Sequence, residues 1–170
     1  MAIYALTFCR CVIGIAFAWS FMGKLRDVPP FVTAIERFRL LPKALHKAAA
    51  WVFLIGELAV VLSMLLGGRF LTWGFLLAVL LLLAFCAALV SVLWRKIDTS
   101  CNCFGASQKP VSPWDLVRNA GLIVCVLAGQ ALAPLAPPWP GYLESGLMFV
   151  AALVFVPVWV QVEEIVALFR

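Results

Sequence analysis

Five stretches of mostly apolar residues, each long enough to cross a lipid bilayer, dominate this 170-residue chain. A transmembrane helix requires about 20 consecutive apolar residues. The stretches lie at about residues 3–22, 45–66, 70–94, 114–132 and 142–169. They predict an all-α fold, in which a single polytopic membrane domain over residues 1–170 has a four-helix core and a fifth, C-terminal transmembrane helix.

The composition argues against a soluble protein, because 65% of the residues are hydrophobic and only 12% are charged. Soluble domains carry about 25% charged residues. The apolar stretches are continuous, whereas the strands of a membrane β-barrel alternate between apolar and polar residues. The net charge of +5 is a signal of membrane topology, so we expect the lipid bilayer as a partner and no nucleic acid.

A further helix is predicted between the first two spans, at about residues 31–41. Phe31, Ile35, Phe38 and Leu41 recur at helical spacing, and prolines bound this segment on both sides. A helix with one apolar and one charged face lies in the plane of the membrane interface. We therefore predict an interfacial amphipathic helix here.

The start of the fourth span is specified by local residues. Ser112, Pro113 and Asp115 fit the cap, the first and the third positions of a helix, where they satisfy free backbone amides. This places Cys103 about nine residues before a well-defined helix start.

Cys101 and Cys103 carry the clearest chemical signal. Only Asn102 separates them, on a short polar connection between the third and fourth spans. A disulfide that closes so small a ring is strained and easily reduced, which suits the exchange of oxidising equivalents. Two adjacent thiols also bind soft metals. We interpret the pair as a redox or metal site, and the alternative is two incidental loop residues.

The other four cysteines, Cys9, Cys11, Cys86 and Cys125, lie within the predicted spans. Buried thiols pack like small apolar side chains. Residues two apart on a helix point in different directions, so Cys9 and Cys11 are not expected to pair. We interpret all four as core residues, with a redox relay through the bundle as the alternative for Cys86 and Cys125.

Ionisable residues inside the spans are costly and normally face a partner or a polar cavity. Glu57 lies in the second span, and Arg118 and Asn119 lie in the fourth. We predict a buried Glu57–Arg118 ion pair with Asn119 as an additional interhelical hydrogen-bonding residue. The pair is either architectural or, together with Lys24 and His46, lines a polar pocket beneath the cysteines. Taken alone, His46 is expected to face lipid headgroups.

Several motifs occur in an order that resembles the methylamine utilisation protein MauE family, within the wider DoxX-like group of redox-associated membrane proteins. They are Phe21-Met22-Gly23-Lys24-Leu25-Arg26-Asp27, Phe38-Arg39-Leu40-Leu41-Pro42, Glu57, Cys101-Asn102-Cys103-Phe104-Gly105, Pro110-Val111-Ser112 and Arg118-Asn119. The resemblance spans about residues 10–119 and is weak in the fifth span. The family more usually has Asp-Cys-Gly-Cys-Phe-Gly, where this chain has Ser100 and Asn102.

The resemblance implies a core similar to the class of vitamin K epoxide reductase and DsbB, whose members pass electrons from thiols to a membrane quinone. It also implies a thioredoxin-like redox partner and a role in maturing a periplasmic client of the type of the small subunit of methylamine dehydrogenase. A quinone is the candidate cofactor, and no metal is implied. The implied site comprises the catalytic pair Cys101 and Cys103 and a cofactor pocket of Glu57, Arg118, Asn119 and Lys24.

Two signals for the membrane orientation disagree. Ten of the thirteen Lys and Arg residues lie on the face that carries the cysteines, whereas Arg10 and Arg69 lie on the other face and Arg118 lies inside the bundle. The positive-inside rule favours a cytoplasmic position for that face, but the implied disulfide chemistry requires the periplasm. Because basic residues of an interfacial helix weaken the charge count, we expect a bacterial inner-membrane protein with periplasmic cysteines.

Two other functions stay open beside a thiol–disulfide oxidoreductase. A transporter of a soft ion such as mercury or copper(I) would use the paired thiols and the cysteines inside the spans. A non-catalytic assembly scaffold would tolerate the loss of the cysteines but would require the buried ion pair.

Overall fold

A computed structural model describes residues 2–38, 42–97, 111–134 and 141–168. Seven α-helices and one 3₁₀ turn at Lys43–Leu45 account for most of these residues, and no strand occurs among them. The helices are α1 (Ala2–Arg26), α2 (Val28–Phe38), α3 (His46–Leu66), α4 (Arg69–Trp94), α5 (Pro113–Leu132), α6 (Tyr142–Val160) and α7 (Val162–Leu168).

Four of these helices, α1, α3, α4 and α5, are long and apolar enough to cross a membrane. The turn between α3 and α4 uses Gly67 and Gly68, which both have positive φ angles of 69° and 56°. Glycine adopts this conformation without steric cost, so the two helices reverse direction within two residues. The prediction of an all-α, multi-pass membrane bundle is confirmed.

The core of the bundle lies around α1, which packs against α3, α5 and α6. Val12 and Ile13 of α1 are fully buried, and Phe75 of α4 and Val126 of α5 join the same cluster. Arg10 of α1 donates hydrogen bonds to the carbonyl oxygens of the last turn of α3, including that of Leu65 at 2.9 Å. These carbonyls have no partner within their own helix, so the arginine is held by the end of α3.

Gly129 of α5 lies where Phe75 of α4 packs directly against the helix. A Cβ atom on this residue would lie 2.4 Å from Cζ of Phe75. We therefore expect Gly129→Ala to destabilise the protein by about 1–3 kcal/mol, the usual cost of overpacking. Gly146→Ala is the matched control, because a Cβ atom there would meet nothing within 4 Å. Thermal unfolding in detergent measures both, and equal midpoints for the two variants would contradict this packing.

Two predicted elements have different bounds in the structure. The predicted fifth span over residues 142–169 is not one helix, because α6 ends at Val160 and α7 begins at Val162. The break falls where the polar residues Gln161, Glu163 and Glu164 follow an apolar run. α6 itself has 19 residues, against 20 to 26 in the four spanning helices.

The predicted interfacial helix begins earlier than expected, since α2 starts at Val28 and ends at Phe38. Its two prolines lie in the first turn, where the missing amide proton has no helical partner to lose. Phe31, Ala34 and Phe38 are buried, and α2 packs against α3. The predicted apolar face is therefore confirmed at Phe31 and Phe38, whereas Ile35 is only partly buried and residues 39–41 lie outside the described part of the chain.

Candidate functional site

A buried polar cluster joins α1 to α3. The exposed fractions of Ser20, Lys24 and Glu57 are only 7%, 4% and 5%. The Lys24 ammonium group forms an ion pair with Oε1 of Glu57 and donates a hydrogen bond to Oγ of Ser20 at 2.8 Å. Ser20 Oγ in turn donates to the same Oε1 at 2.8 Å. One carboxylate oxygen therefore accepts hydrogen bonds from two side chains of α1.

The helical repeat explains why these side chains meet. Ser20 and Lys24 are four residues apart on α1 and therefore lie on one face of that helix. Glu57 occupies the buried stripe of α3, between Leu54 and Val60. A charge in such a position is strongly destabilising unless it is paired, and Lys24 supplies the partner.

The last turn of α1 and the following helix close this cluster on one side. The predicted first span ends at residue 22, but α1 continues to Arg26 and carries Lys24 inside the helix. Phe31 of α2 lies beside the ammonium group, with the ring centroid 5.0 Å from Nζ. A cation beside an aromatic face is stabilised further, so α2 contributes directly to the environment of Lys24.

A small cavity lies next to the cluster. Its volume is about 40 Å³, and Ser20, Lys24, Glu57 and Asn119 form its polar lining. Oε2 of Glu57 is buried and has no hydrogen-bond partner among the described residues. The rest of the lining is apolar, and the volume has room for a water molecule beside the four polar side chains. This volume is far below the roughly 150 Å³ of a cavity known to bind benzene, so a quinone ring does not fit in it as it stands.

Asn119 reaches the cavity from α5. Its exposed fraction is 3%, and its Nδ2 donates to the carbonyl oxygen of Asp115 at 2.9 Å. This hydrogen bond lies within α5 and is not the interhelical one that was predicted. The start of α5 is fixed as predicted, because the backbone amide of Ser112 donates to the carboxylate of Asp115 at 3.0 Å. The capped helix start thus determines how far Asn119 extends into the bundle.

The predicted Glu57–Arg118 ion pair is wrong. Arg118 pairs instead with Asp115, one turn earlier on its own helix, with 2.9 Å between Nη2 and Oδ1. Glu57 is paired with Lys24 of the neighbouring α1, and Arg118 does not line the cavity. The backbone carbonyl of Arg118 also accepts a hydrogen bond from Nε1 of Trp159 at 3.1 Å. The Arg118 side chain is therefore held at the start of α5, and its backbone carbonyl takes part in the contact with α6.

His46 also differs from its prediction. Its exposed fraction is 6% at the first position of α3, so it does not face lipid headgroups as expected. Lys24 lines the cavity with Glu57 and Asn119, as expected for the pocket, but its pairing with Ser20 and Glu57 was missed, and one signal for it was available. Ser20 and Lys24 are four residues apart, so a helix that continued past residue 22 would place both polar groups on one face.

Cys101 and Cys103 lie outside the described residues, in the segment 98–110. The chain leaves the described part after Ile97, beyond α4, and returns at Val111, just before α5. Val111 and Phe85 both pack against buried Leu89 of α4, and Phe85 also lines the cavity. The segment with the cysteines therefore rejoins the bundle close to the cavity. Only Leu89 lies between Val111, where the segment ends, and Phe85 in the cavity wall.

The fold and this cluster define a class of multi-pass membrane protein. Its members have a buried lysine–glutamate pair at one end of the helical bundle, and a segment with a Cys-x-Cys sequence is attached at the same end. The family model described as "Methylamine utilisation protein MauE" matches residues 2–133. The chain therefore belongs to the MauE family. The matched range ends just after α5 and does not include α6 and α7.

Three curated relatives carry the name "Methylamine utilization protein MauE". The protein from Paracoccus versutus is 32% identical over 130 residues, which cover 76% of this chain and 70% of the relative. The protein from Paracoccus denitrificans is 30% identical over 139 residues, with 81% and 73% covered. The protein from Methylorubrum extorquens is 29% identical over 147 residues, with 86% and 78% covered. No solved structure matches this chain.

Proposed function

We propose that this protein is a thiol–disulfide redox protein of the bacterial inner membrane, in which Cys101 and Cys103 form a disulfide that oxidises a thioredoxin-like partner. The partner would pass its disulfide to a periplasmic client of the type of the small subunit of methylamine dehydrogenase. The names of the relatives support the link to methylamine utilisation. The Cys-x-Cys sequence supports the chemistry, because such a disulfide is readily exchanged.

The observation that carries this proposal is the buried Lys24–Glu57 pair beside a water-sized cavity, at the end of the bundle to which the cysteine segment is attached. Ionisable groups inside a membrane are costly and commonly mark a functional path for protons, ions or substrates. A purely apolar bundle would need neither the pair nor the cavity. An ionisable group close to a dithiol can accept or supply protons. Every two-electron oxidation or reduction of that dithiol also releases or takes up two protons.

The proposed exchange balances in electrons and protons. A thiolate of the reduced partner attacks one sulfur of the Cys101–Cys103 disulfide, so that the intramolecular S–S bond breaks and a mixed disulfide forms. The second thiol of the partner then attacks that mixed disulfide. The partner leaves in the oxidised state, and Cys101 and Cys103 have gained two electrons and two protons.

Regeneration of the disulfide releases two electrons and two protons from the cysteines. We assign the acceptance of one proton to Glu57, since its Oε2 is buried without a hydrogen-bond partner among the described residues and its side chain lines the cavity with Lys24. The second proton leaves to water at the membrane surface. A membrane quinone is the electron acceptor that the family resemblance implies. The cavity between Lys24, Glu57 and Asn119 is too small for its ring, and no step is assigned to a quinone there.

Thiol labelling in intact cells tests the proposal. We expect a membrane-impermeant maleimide to label the peptide with Cys101 and Cys103 in intact cells only after mild reduction, because the two residues form a periplasmic disulfide. Cys86, which lies within α4, serves as the internal control that stays unlabelled. Labelling of the pair without reduction, or only after cell lysis, would contradict a periplasmic disulfide.

A further inference from the structure

A second pair of thiols, outside the proposed site, meets where α1 and α5 pack together. Cys9 of α1 has an exposed fraction of 7%, and Cys125 of α5 is partly buried. The two thiol side chains interact with each other where α1 packs against α5. Both also contact the same apolar cluster around α1. Two sulfur atoms from different helices thus face each other in hydrocarbon surroundings.

The helix lengths agree independently with this contact. Cys9 lies seven residues after the start of α1, and Cys125 lies seven residues before the end of α5. At 1.5 Å per residue, both are about 10 Å from the helix ends at the same face of the bundle. Along α5, Cys125 is about 18 Å from Pro113, near which the segment with Cys101 and Cys103 joins the helix. The Cys9–Cys125 pair is therefore distinct from the proposed redox site.

We propose that Cys9 and Cys125 bind one soft, thiophilic cation, divalent mercury, as a two-coordinate bis-thiolate that bridges α1 and α5. Thiolate sulfur is the preferred ligand of soft metals. Binding replaces two S–H bonds by two S–Hg bonds and releases two protons. The product carries no net charge, which matters because an uncompensated charge in hydrocarbon is strongly unfavourable.

The surroundings of the pair favour an ion that two ligands satisfy. Among the described residues, no group of three or more His, Cys, Asp or Glu side chains is placed to hold a metal. Zinc in a structural site takes four ligands of these types, whereas divalent mercury is satisfied by two thiolates in a line. This inference does not depend on the proposed redox function, since it uses neither Cys101 and Cys103 nor the Lys24–Glu57 pair.

The test uses the full-length protein in detergent with the other four cysteines replaced (Cys11→Ala, Cys86→Ala, Cys101→Ser and Cys103→Ser). The reduced protein is loaded with Hg(II), washed with excess glutathione, and measured by native mass spectrometry and by X-ray absorption at the mercury edge. We expect about one mercury per protein, with no added glutathione mass and with two sulfur neighbours. Two sulfurs from one protein retain the ion against a monothiol, because both bonds must break together.

Further replacement of Cys9 or Cys125 by alanine is expected to abolish this retention. Each single-cysteine variant is first checked for a monodisperse size-exclusion peak. Loss of the metal during the wash, or a mass that includes glutathione, would overturn the proposal. Retention of the metal by either single-cysteine variant would also overturn the proposal. If a single-cysteine variant fails to fold, the X-ray absorption measurement on the protein with both thiols still tests the proposal. A number of sulfur neighbours other than two would overturn it.

Discussion

Replacement of Cys101 or Cys103 by serine is expected to abolish maturation of the client, because one thiol can neither hold nor regenerate the disulfide. One of the two single variants should in addition accumulate a mixed disulfide with the thioredoxin-like partner, since the cysteine that would resolve it is absent. Non-reducing electrophoresis followed by mass spectrometry of the shifted band measures the trapped species. Client activity in the same cells measures the functional loss.

Cys86→Ser is the matched control for this experiment. Cys86 lies within α4 and is only partly exposed, so its replacement removes a thiol without touching the proposed exchange pair. Normal client activity in both the Cys101 and the Cys103 variants, at wild-type membrane levels of the protein, would refute the redox proposal. The scaffold alternative predicts that outcome.

Replacement of Lys24 by methionine is expected to destabilise the protein by about 3–5 kcal/mol, because it leaves the Glu57 carboxylate buried without its cation. Glu57→Leu should cost a similar amount, since it leaves the Lys24 ammonium group unpaired. The double variant Lys24→Met/Glu57→Leu should recover most of the lost stability, because apolar residues of similar size often replace a buried ion pair without loss. Unfolding in detergent, analysed as a double-mutant cycle, measures the coupling energy.

Lys47→Met provides the control for the loss of a positive charge, because Lys47 is exposed in the first turn of α3. We expect its effect on stability to be within about 0.5 kcal/mol, as is usual for surface substitutions. If the effects of Lys24→Met and Glu57→Leu simply added in the double variant, the two residues would not be coupled, and the geometry of the cluster would be contradicted.

Sequence reasoning recovered the parts of the fold that local signals determine. The four spanning helices follow from the lengths of the apolar stretches. The start of α5 follows from Ser112 and Asp115, whose capping interaction involves only neighbouring residues. Each of these features is set by contacts within a few residues of the chain.

The partner of Glu57 could not be predicted in the same way. Counting residues along a span gives the depth of a side chain in the membrane, but it does not tell which helices are neighbours around the bundle. Arg118 has a suitable depth, yet α5 directs it to Asp115 on its own helix. Lys24 was expected in the polar pocket, but its pairing with Glu57 was missed because the apolar run stops before it, whereas α1 continues to Arg26.

The end of the chain shows the same difference between composition and structure. Hydropathy alone predicts a fifth span over residues 142–169, but the polar residues from Gln161 onward separate α6 from α7. The position of α6 depends on long-range packing, including the indole of Trp159, which lies against Gly121 and donates to the Arg118 carbonyl. No local pattern in the sequence identifies that contact.

The central claim is that the Lys24–Glu57 pair serves the chemistry of Cys101 and Cys103 and not only the stability of the bundle. The double variant Lys24→Met/Glu57→Leu separates these roles, because it is expected to fold. After a pulse of reductant in intact cells, peptide mapping with a heavy and a light alkylating reagent gives the reoxidation of the cysteine pair over time. We predict that the wild-type pair returns to the disulfide while the pair of the folded double variant stays reduced. Reoxidation at the wild-type rate in that variant would contradict the claim.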